Sequence, residues 1–270
     1  MRIDGIATAF GEEMAHSIGT LAWAEATGGR LTFRERLALL ADAVMLQARV
    51  LPAQLRWRLG LGADYISGLD VATIRAPDSA AARMAEEHCR EVSPPYLVNH
   101  CLRSYVWGRL LAAHRGLRPD DELLYVASLL HDLGLTPPYA NGPVDAPCFA
   151  VRGAEGARRV ARRAGWTEPF ERRLAEAITL HVNVDVGLEH GVEAHLLNAS
   201  TALDVTGLRC WEIGSSSLQA TLERFPRLGM KAAIWSAWAS EARRHPDCRG
   251  AFLNRYLQFG SRVRAAPFPD

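Results

Sequence analysis

Lysine is almost absent from this chain, since Lys231 is the only lysine among 31 basic residues. Schiff-base chemistry and a phosphate-binding P-loop both need a lysine, so either would depend on Lys231 alone. The 31 basic residues face 30 acidic ones, which leaves a formal net charge of +1. A chain without a net basic field has little long-range attraction for nucleic acid or an anionic membrane. We therefore expect neither of these as a partner.

Cysteine is scarce and irregularly spaced. The five cysteines are odd in number and form no C-x-x-C pair, which disfavours a disulfide framework and a cysteine-based metal site. Long apolar runs are missing too, because charge-free runs such as 123–130 fall short of the roughly 20 residues of a membrane helix. The N-terminus has no apolar stretch typical of a signal peptide. These absences predict a soluble, cytoplasmic protein.

Helical periodicity dominates the 270 residues, and no alternating strand pattern of useful length is present. We predict an all-α fold of about eight to ten helices, a helical bundle in one domain. That domain would span 31–270, with 1–30 as a looser N-terminal extension. The predicted helices lie at 32–59, 79–92, 97–114, the segment LLYVASLLHDLG (123–134), 153–164, 168–182 and 192–206, with two or three more across 215–259.

Local signals predict where some of these helices begin and end. Thr32 followed by Glu35 is a capping-box pattern, and Pro52 could divide the helix that follows into two. Gly134 is a candidate C-cap for the apolar segment LLYVASLLHDLG. Four prolines in 136–147 predict an irregular loop that could wall a pocket.

The dipeptide His131-Asp132 ends the most apolar predicted helix of the chain. Burying an ionised aspartate without a partner costs several kcal/mol. A divalent metal ion would satisfy both side chains, because imidazole and carboxylate are good ligands. Taken alone, the dipeptide favours the simpler alternative of an exposed Asp132 beside a histidine that complements the helix dipole.

Two further polar residues favour the metal site. His100 lies in another apolar helix, with Arg103 and Trp107 one and two turns further on the same face. Asp204 is almost the only charge in a third apolar helix, although it could also cap that helix's end. Helix bundles build metal sites from inward-facing polar groups of this kind on neighbouring helices.

The H…HD…D pattern resembles the HD-domain superfamily of all-α, metal-dependent hydrolases, and within it the cyanamide-hydratase-like branch. The resemblance covers about residues 75–265 and is carried by the strings NHCLRSYVWG, SLLHDLG, EAITLH, LDVTG and RFPRLGMK. It implies metal ligands at His100, His131, Asp132 and Asp204. We expect one divalent ion, with zinc first and iron or manganese as alternatives.

Some HD proteins hold two metals by means of further histidines between the HD pair and the last aspartate. His195 lies nine residues before Asp204, and about 100° per residue puts the two on opposite helix faces. His190 lies in a glycine-flanked loop. His181 closes an apolar helix and is our candidate catalytic residue, as a proton shuttle or as support for the ligands. Simple pairing with the helix dipole is the alternative for His181.

We expect a compact, weakly charged small-molecule substrate, bound by Arg103, Trp107 and Tyr139. Arg103 could instead form a structural pair with a carboxylate. The resulting hypothesis is a metal-dependent hydratase or hydrolase that activates water on a small nitrile-like or amide-like compound. A phosphohydrolase acting on a nucleotide or phosphomonoester is the first alternative, and a di-iron oxygenase is the second. The sequence does not indicate an oligomeric state.

Overall fold

A computed structural model describes residues 17–61, 69–140, 143 and 146–270. Within these ranges the chain forms thirteen α-helices and no strand, which confirms the all-α prediction. The number exceeds the eight to ten expected because several helices are short. They are α1 Leu21–Thr27, α2 Phe33–Arg58, α3 Ala80–Val92, α4 Pro95–Arg115, α5 Asp121–Leu130, α6 Pro137–Ala140, α7 Phe149–Arg163, α8 Glu168–Leu180, α9 Val192–Thr206, α10 Ser215–Arg224, α11 Met230–Arg244, α12 Arg249–Leu257 and α13 Phe259–Arg264.

The centre of the fold is made by α4, α5 and α9, which pack against one another. All of Leu123–Leu130 in α5 is buried, and so are Trp107, Leu110 and Leu111 of α4. Fully burying a large apolar side chain contributes about 1.5–3 kcal/mol. The three helices that carry the H…HD…D pattern are therefore held in place by the main hydrophobic core.

The capping box at the start of α2 is present as predicted. Thr32 Oγ1 accepts from the Glu35 amide, and the Glu35 carboxylate accepts from the Thr32 amide at 2.7 Å. Pro52 does not divide the helix, which runs unbroken from Phe33 to Arg58. Proline leaves the carbonyl of residue i−4 without its helical partner, and here that residue, Ala48, is exposed and open to water.

Gly134 does not cap α5, contrary to the sequence-based prediction. The helix ends at Leu130, His131 takes the C-cap position, and Gly134 lies in a short 3₁₀ turn over Leu133–Leu135. A Cβ at Gly134 would lie 1.9 Å from the Phe149 carbonyl oxygen. Glycine is needed here because the turn after the HD pair touches the main chain of α7.

The segment 136–147 is not wholly irregular, because Pro137–Ala140 form the short helix α6. Proline is tolerated in the first turn of a helix, where its missing N–H has no helical partner to lose. The Thr136 carbonyl accepts from the amides of Tyr139 and Ala140. Residues 141, 142, 144 and 145 lie outside the described residues.

Part of the predicted N-terminal extension packs onto the body of the protein. Trp23 and Ala24 of α1 are buried, and the Leu21 amide donates to the Glu176 carboxylate at 2.6 Å. Residues 1–16 lie outside the described residues. The division into 1–30 and 31–270 stays a prediction.

Helix α2 has a buried edge and a broad exposed apolar face. Leu39 and Leu46 are buried, whereas Leu37, Val44 and Met45 are more than half exposed. Among the described residues, α2 alone is long and apolar enough to cross a membrane by length and composition. The expectation of no membrane partner therefore stays a prediction.

Candidate metal centre

Three buried histidines meet at the inner end of a cavity. His100 lies within α4, whereas His131 and His181 each follow directly after the last residue of an apolar helix, α5 and α8. The three side chains are buried, as is Asp132 next to His131. The core thus contains four groups that can ionise or bind a metal, at positions where a soluble protein normally places hydrocarbon.

Local hydrogen bonds fix which ring nitrogen of each helix-end histidine faces the others. His131 Nδ1 donates to the Ser128 carbonyl at 2.8 Å, and His181 Nδ1 donates to the Ile178 carbonyl at 2.5 Å. Both acceptors lie three residues earlier in the chain. Each neutral imidazole therefore keeps its lone pair on Nε2.

The donor atoms are spaced as ligands of a single ion would be. The Nε2 atoms of His100 and His131 are 3.1 Å apart, and Asp132 Oδ2 lies 3.6 Å and 3.3 Å from them. Metal–ligand bonds of about 2.0–2.1 Å in a tetrahedral site separate the ligands by about 3.3 Å. Two lone pairs facing each other at this distance are stabilised by a cation between them. His100, His131 and Asp132 therefore fit a divalent metal ion.

His181 lies at the edge of this group. Its Nε2 is 3.6 Å from Asp132 Oδ1, whereas the contacts of His100 and His131 are with Oδ2. Its ring packs edge-on against His131 and Phe149. The structure thus places His181 beside the three residues that could hold an ion, and its catalytic role stays a prediction.

Burial and mutual attraction set the protonation states of the centre. Burial alone would raise the pKa of Asp132, but His131 and its hydrogen bonds hold that pKa well below the usual range. Burial lowers the pKa of both His100 and His181. Burial acts in the same direction on His131, but the neighbouring Asp132 carboxylate outweighs it and raises the pKa of His131. An ionised carboxylate beside neutral imidazoles is the state that metal ligation needs.

Asp204 lies behind His100, on the side of the ring away from Asp132. Its Oδ2 accepts from His100 Nδ1 at 2.7 Å, and Arg103 donates to both of its oxygens at 2.7 and 2.9 Å. Trp107 Nε1 donates to Oδ1 at 2.9 Å. We predicted Asp204 as a ligand, whereas the structure commits both of its oxygens to these donors. A carboxylate in this position fixes the tautomer and orientation of a ligating histidine.

The three residues predicted to bind substrate lie away from the cavity wall. Arg103 and Trp107 are fully buried in the network around Asp204, which is the structural pairing that the sequence left open for Arg103. Tyr139 pairs instead with His88 at 2.7 Å. The sequence predicts that Arg103 and Trp107 share a face of α4 with His100. It could not show that Asp204 of α9 packs against that face.

The other two histidines between Asp132 and Asp204 lie outside the group of donor side chains. His195 Nδ1 donates to the Val186 carbonyl at 2.6 Å, and its Nε2 lies 2.8 Å from an Arg115 nitrogen. His190 lies in a short 3₁₀ turn near Glu189. Neither one lines the cavity that contains His131.

A cavity of about 370 Å³ opens from the four donor residues. Its walls come from α2, α9 and the helices α11 to α13, which are far apart in the sequence. For this reason sequence patterns did not reveal them. The apolar wall includes Leu46, Val50, Val205, Ile234, Leu253 and Phe259.

Polar side chains near the donors add hydrogen-bond acceptors. Asn198 donates both amide hydrogens to main-chain carbonyls, those of His181 at 3.0 Å and Asn183 at 2.7 Å, so Oδ1 remains to accept. The Thr201 hydroxyl donates to the Leu197 carbonyl at 2.8 Å and can accept as well. Both side chains line the cavity.

Comparison with known proteins agrees with this geometry. Residues 97–205 match the family model described as HD domain. Two yeast proteins, cyanamide hydratase DDI2 and cyanamide hydratase DDI3 of Saccharomyces cerevisiae, are each 28% identical to the chain over 181 residues. That alignment covers 65% of this chain and 78% of each yeast protein. Residues 97–205 therefore match an HD domain, and the chain is similar to two proteins named as cyanamide hydratases; together these findings support a metal-dependent enzyme of the hydrolase or hydratase type.

Proposed function

We propose that this enzyme adds water to a nitrile-like or amide-like carbon of a neutral small molecule. For a nitrile, R–CN and one water give the amide R–CONH₂, with no other reactant. The observation that carries the proposal is the convergence of His100, His131, Asp132 and His181 at one end of a mostly apolar cavity. The two yeast relatives are named for the hydration of cyanamide, a compound of this class.

In this proposal His100, His131 and Asp132 hold one divalent ion, and zinc suits two imidazoles and one carboxylate. Catalytic sites of this type have three protein ligands and keep a further position for water or substrate. A bound ion of this kind supplies a Lewis acid and lowers the pKa of water from 15.7 toward about 7. The zinc ion, the small-molecule substrate and the cytoplasmic location remain predictions.

His181 takes the role of proton acceptor. Because Nδ1 is tied to the Ile178 carbonyl, Nε2 is the atom that can receive a proton from water. Burial keeps this imidazole neutral by lowering its pKa. Asp132 Oδ1, 3.6 Å away, stabilises the imidazolium that forms.

The other polar residues position the reacting groups. Asp204 holds His100 in the orientation that turns Nε2 toward His131, and Arg103 neutralises Asp204. Asn198 Oδ1 and the Thr201 hydroxyl can accept N–H groups of the substrate or of the amide product. A nitrile and an amide differ in this respect, since only the amide product always carries an N–H.

The charges around the cavity favour a neutral substrate over a phosphate ester. Arg262 is the only Arg or Lys among the described residues that line the cavity, and it is exposed. Arg103, the cation that a phosphohydrolase could have used, is committed to Asp204. Burying phosphate oxygens without cations to pair them is costly.

The proposal is tested by incubating the metal-loaded protein with cyanamide, an aliphatic nitrile and a phosphomonoester. We expect urea or amide as the product, with little release of phosphate. Faster hydrolysis of the phosphomonoester than of either nitrogen compound would replace this proposal with the phosphohydrolase. Stoichiometric binding of two irons would favour the oxygenase.

A further inference from the structure

The cavity is much larger than the group that reacts in it. The cavity has a volume of about 370 Å³. Cyanamide, NH₂CN, has three non-hydrogen atoms and would leave most of this space unfilled. Pockets for larger ligands begin at about 300 Å³. The size of the cavity therefore indicates a bigger ligand.

The distribution of polarity shows which part of that ligand is polar. The ionisable donors and Asn198 lie together, because Asn198 is hydrogen-bonded to the main chain of His181. The walls contributed by α11 and α12 are apolar, with Ile234, Trp238 and Leu253 facing the cavity. A ligand with a polar head and a hydrocarbon body matches this arrangement, because apolar wall is best covered by apolar surface.

We propose that the physiological substrate carries its nitrile-type or amide-type head on a neutral apolar body of several carbon atoms. The identity of the head rests on the proposed function, whereas the body rests on the cavity alone. The head lies against His100 and His131, and the body lies between α2, α11 and α12.

Helix α2 is the part of the wall that selects the length of this body. Ala43, Leu46 and Val50 line the cavity from α2. The helix lies outside residues 97–205, which match the family model. Ala43 is half-buried and Ala48 on the same helix is exposed, so the two alanines form a matched pair for substitution.

The first test measures binding, so it does not depend on turnover. Linear primary amides from acetamide to octanamide are titrated into the zinc-loaded protein by calorimetry. Each added CH₂ that enters an apolar cavity is expected to lower Kd about fourfold, until the cavity is full. A Kd that changes less than about twofold between acetamide and octanamide would overturn the inference.

The second test fills the cavity from α2. We expect Ala43→Phe to raise the Kd of octanamide at least about tenfold, by loss of the equivalent of two or more buried CH₂ groups, and to leave acetamide binding unchanged. The control Ala48→Phe places the same ring on the exposed face and should change neither Kd. Equal effects of the two substitutions would contradict the proposal. If Ala43→Phe lowers Tm, Val50→Trp repeats the test from the same wall.

Binding and turnover separate this inference from the proposed function. Length-dependent amide binding in a protein that hydrates no nitrile would support the apolar body and refute the hydratase. Hydration of cyanamide with a flat binding series would support the hydratase and refute the apolar body.

Discussion

The two sides of the cavity are built in opposite ways. The inner end consists of buried, ionisable side chains from the HD domain, such as His131 and Asp132, each held by hydrogen bonds or ion pairs. The outer wall is α2, which lies outside the HD domain and exposes much of its apolar surface. In our proposals, the chemistry therefore depends on side chains of the buried core, whereas the choice of substrate depends on a helix outside the matched region.

The energetic consequences differ in the same way. Removing one partner of a buried ion pair leaves an uncompensated charge, which costs about 3–5 kcal/mol. Substitutions at exposed positions change stability by about 0.5 kcal/mol or less. Variants of the inner end should therefore affect folding and chemistry, and variants of the outer face of α2 should affect neither.

The largest effect on stability is expected for Arg103→Met. This substitution removes the cation that donates to both oxygens of Asp204 in the fully buried core. We expect the free energy of unfolding in urea to fall by about 3–5 kcal/mol. A loss below about 1 kcal/mol would show that the remaining partners of Asp204, namely His100, Trp107 and the buried Arg227, are enough to stabilise its charge, and the contrast between the two sides would weaken.

His181→Ala should affect turnover more than folding. The substitution removes the proposed proton acceptor but leaves the three ligand residues, so kcat should fall by about 10–100-fold. His181→Gln keeps a side chain of similar size and serves as the control for packing. A wild-type rate in both variants would show that His181 only pairs with the dipole at the end of its helix and takes no part in turnover.

The pH profile gives a smaller and reversible effect. Burial lowers the pKa of His181 below its ordinary value of 6.5, so Nε2 is free to accept a proton at and above neutral pH. We expect kcat to stay level between pH 7 and 8 and to fall as pH drops through the lowered pKa. A steep fall already at pH 7.5 would contradict the neutral state of His181.

The smallest effect is expected on the outer face of α2. Met45 is 64% exposed and lies outside the cavity wall, so Met45→Ser should change the free energy of unfolding by about 0.5 kcal/mol or less. Leu46→Ala, at the adjacent buried position, should cost about 2–5 kcal/mol. Similar losses from both substitutions, measured by urea unfolding, would show that α2 has no distinct outer face.

Short-range patterns predicted several of the helices, including those that carry the candidate site. The capping box at Thr32 depends on residues three apart, and the apolar periodicity of α4, α5 and α9 identified the helices that carry His100, His131 and Asp204. A further local signal was available, because His131 and His181 both follow an apolar helix and bond to the carbonyl three residues earlier.

Long-range packing decided what the sequence could not. Whether Asp204 meets the metal-facing or the opposite nitrogen of His100 depends on how α9 packs against α4, and no spacing along one helix specifies it. The position of Gly134 after an apolar helix predicts a C-cap. The structure instead needs glycine there because the Phe149 carbonyl, fifteen residues further along the chain, lies against it. The sequence did not predict the walls of the cavity either, because they come from helices that are far apart in the chain.

Metal content is the most direct test of the central claim, that His100, His131 and Asp132 hold one divalent ion with His181 beside them. Wild-type protein, His131→Ala and His181→Ala would be loaded with Zn²⁺, desalted and analysed by mass spectrometry. We predict about one ion per chain in the wild type and in His181→Ala, and almost none in His131→Ala. Loss of the ion from His181→Ala, or a wild-type protein that retains none, would contradict the account.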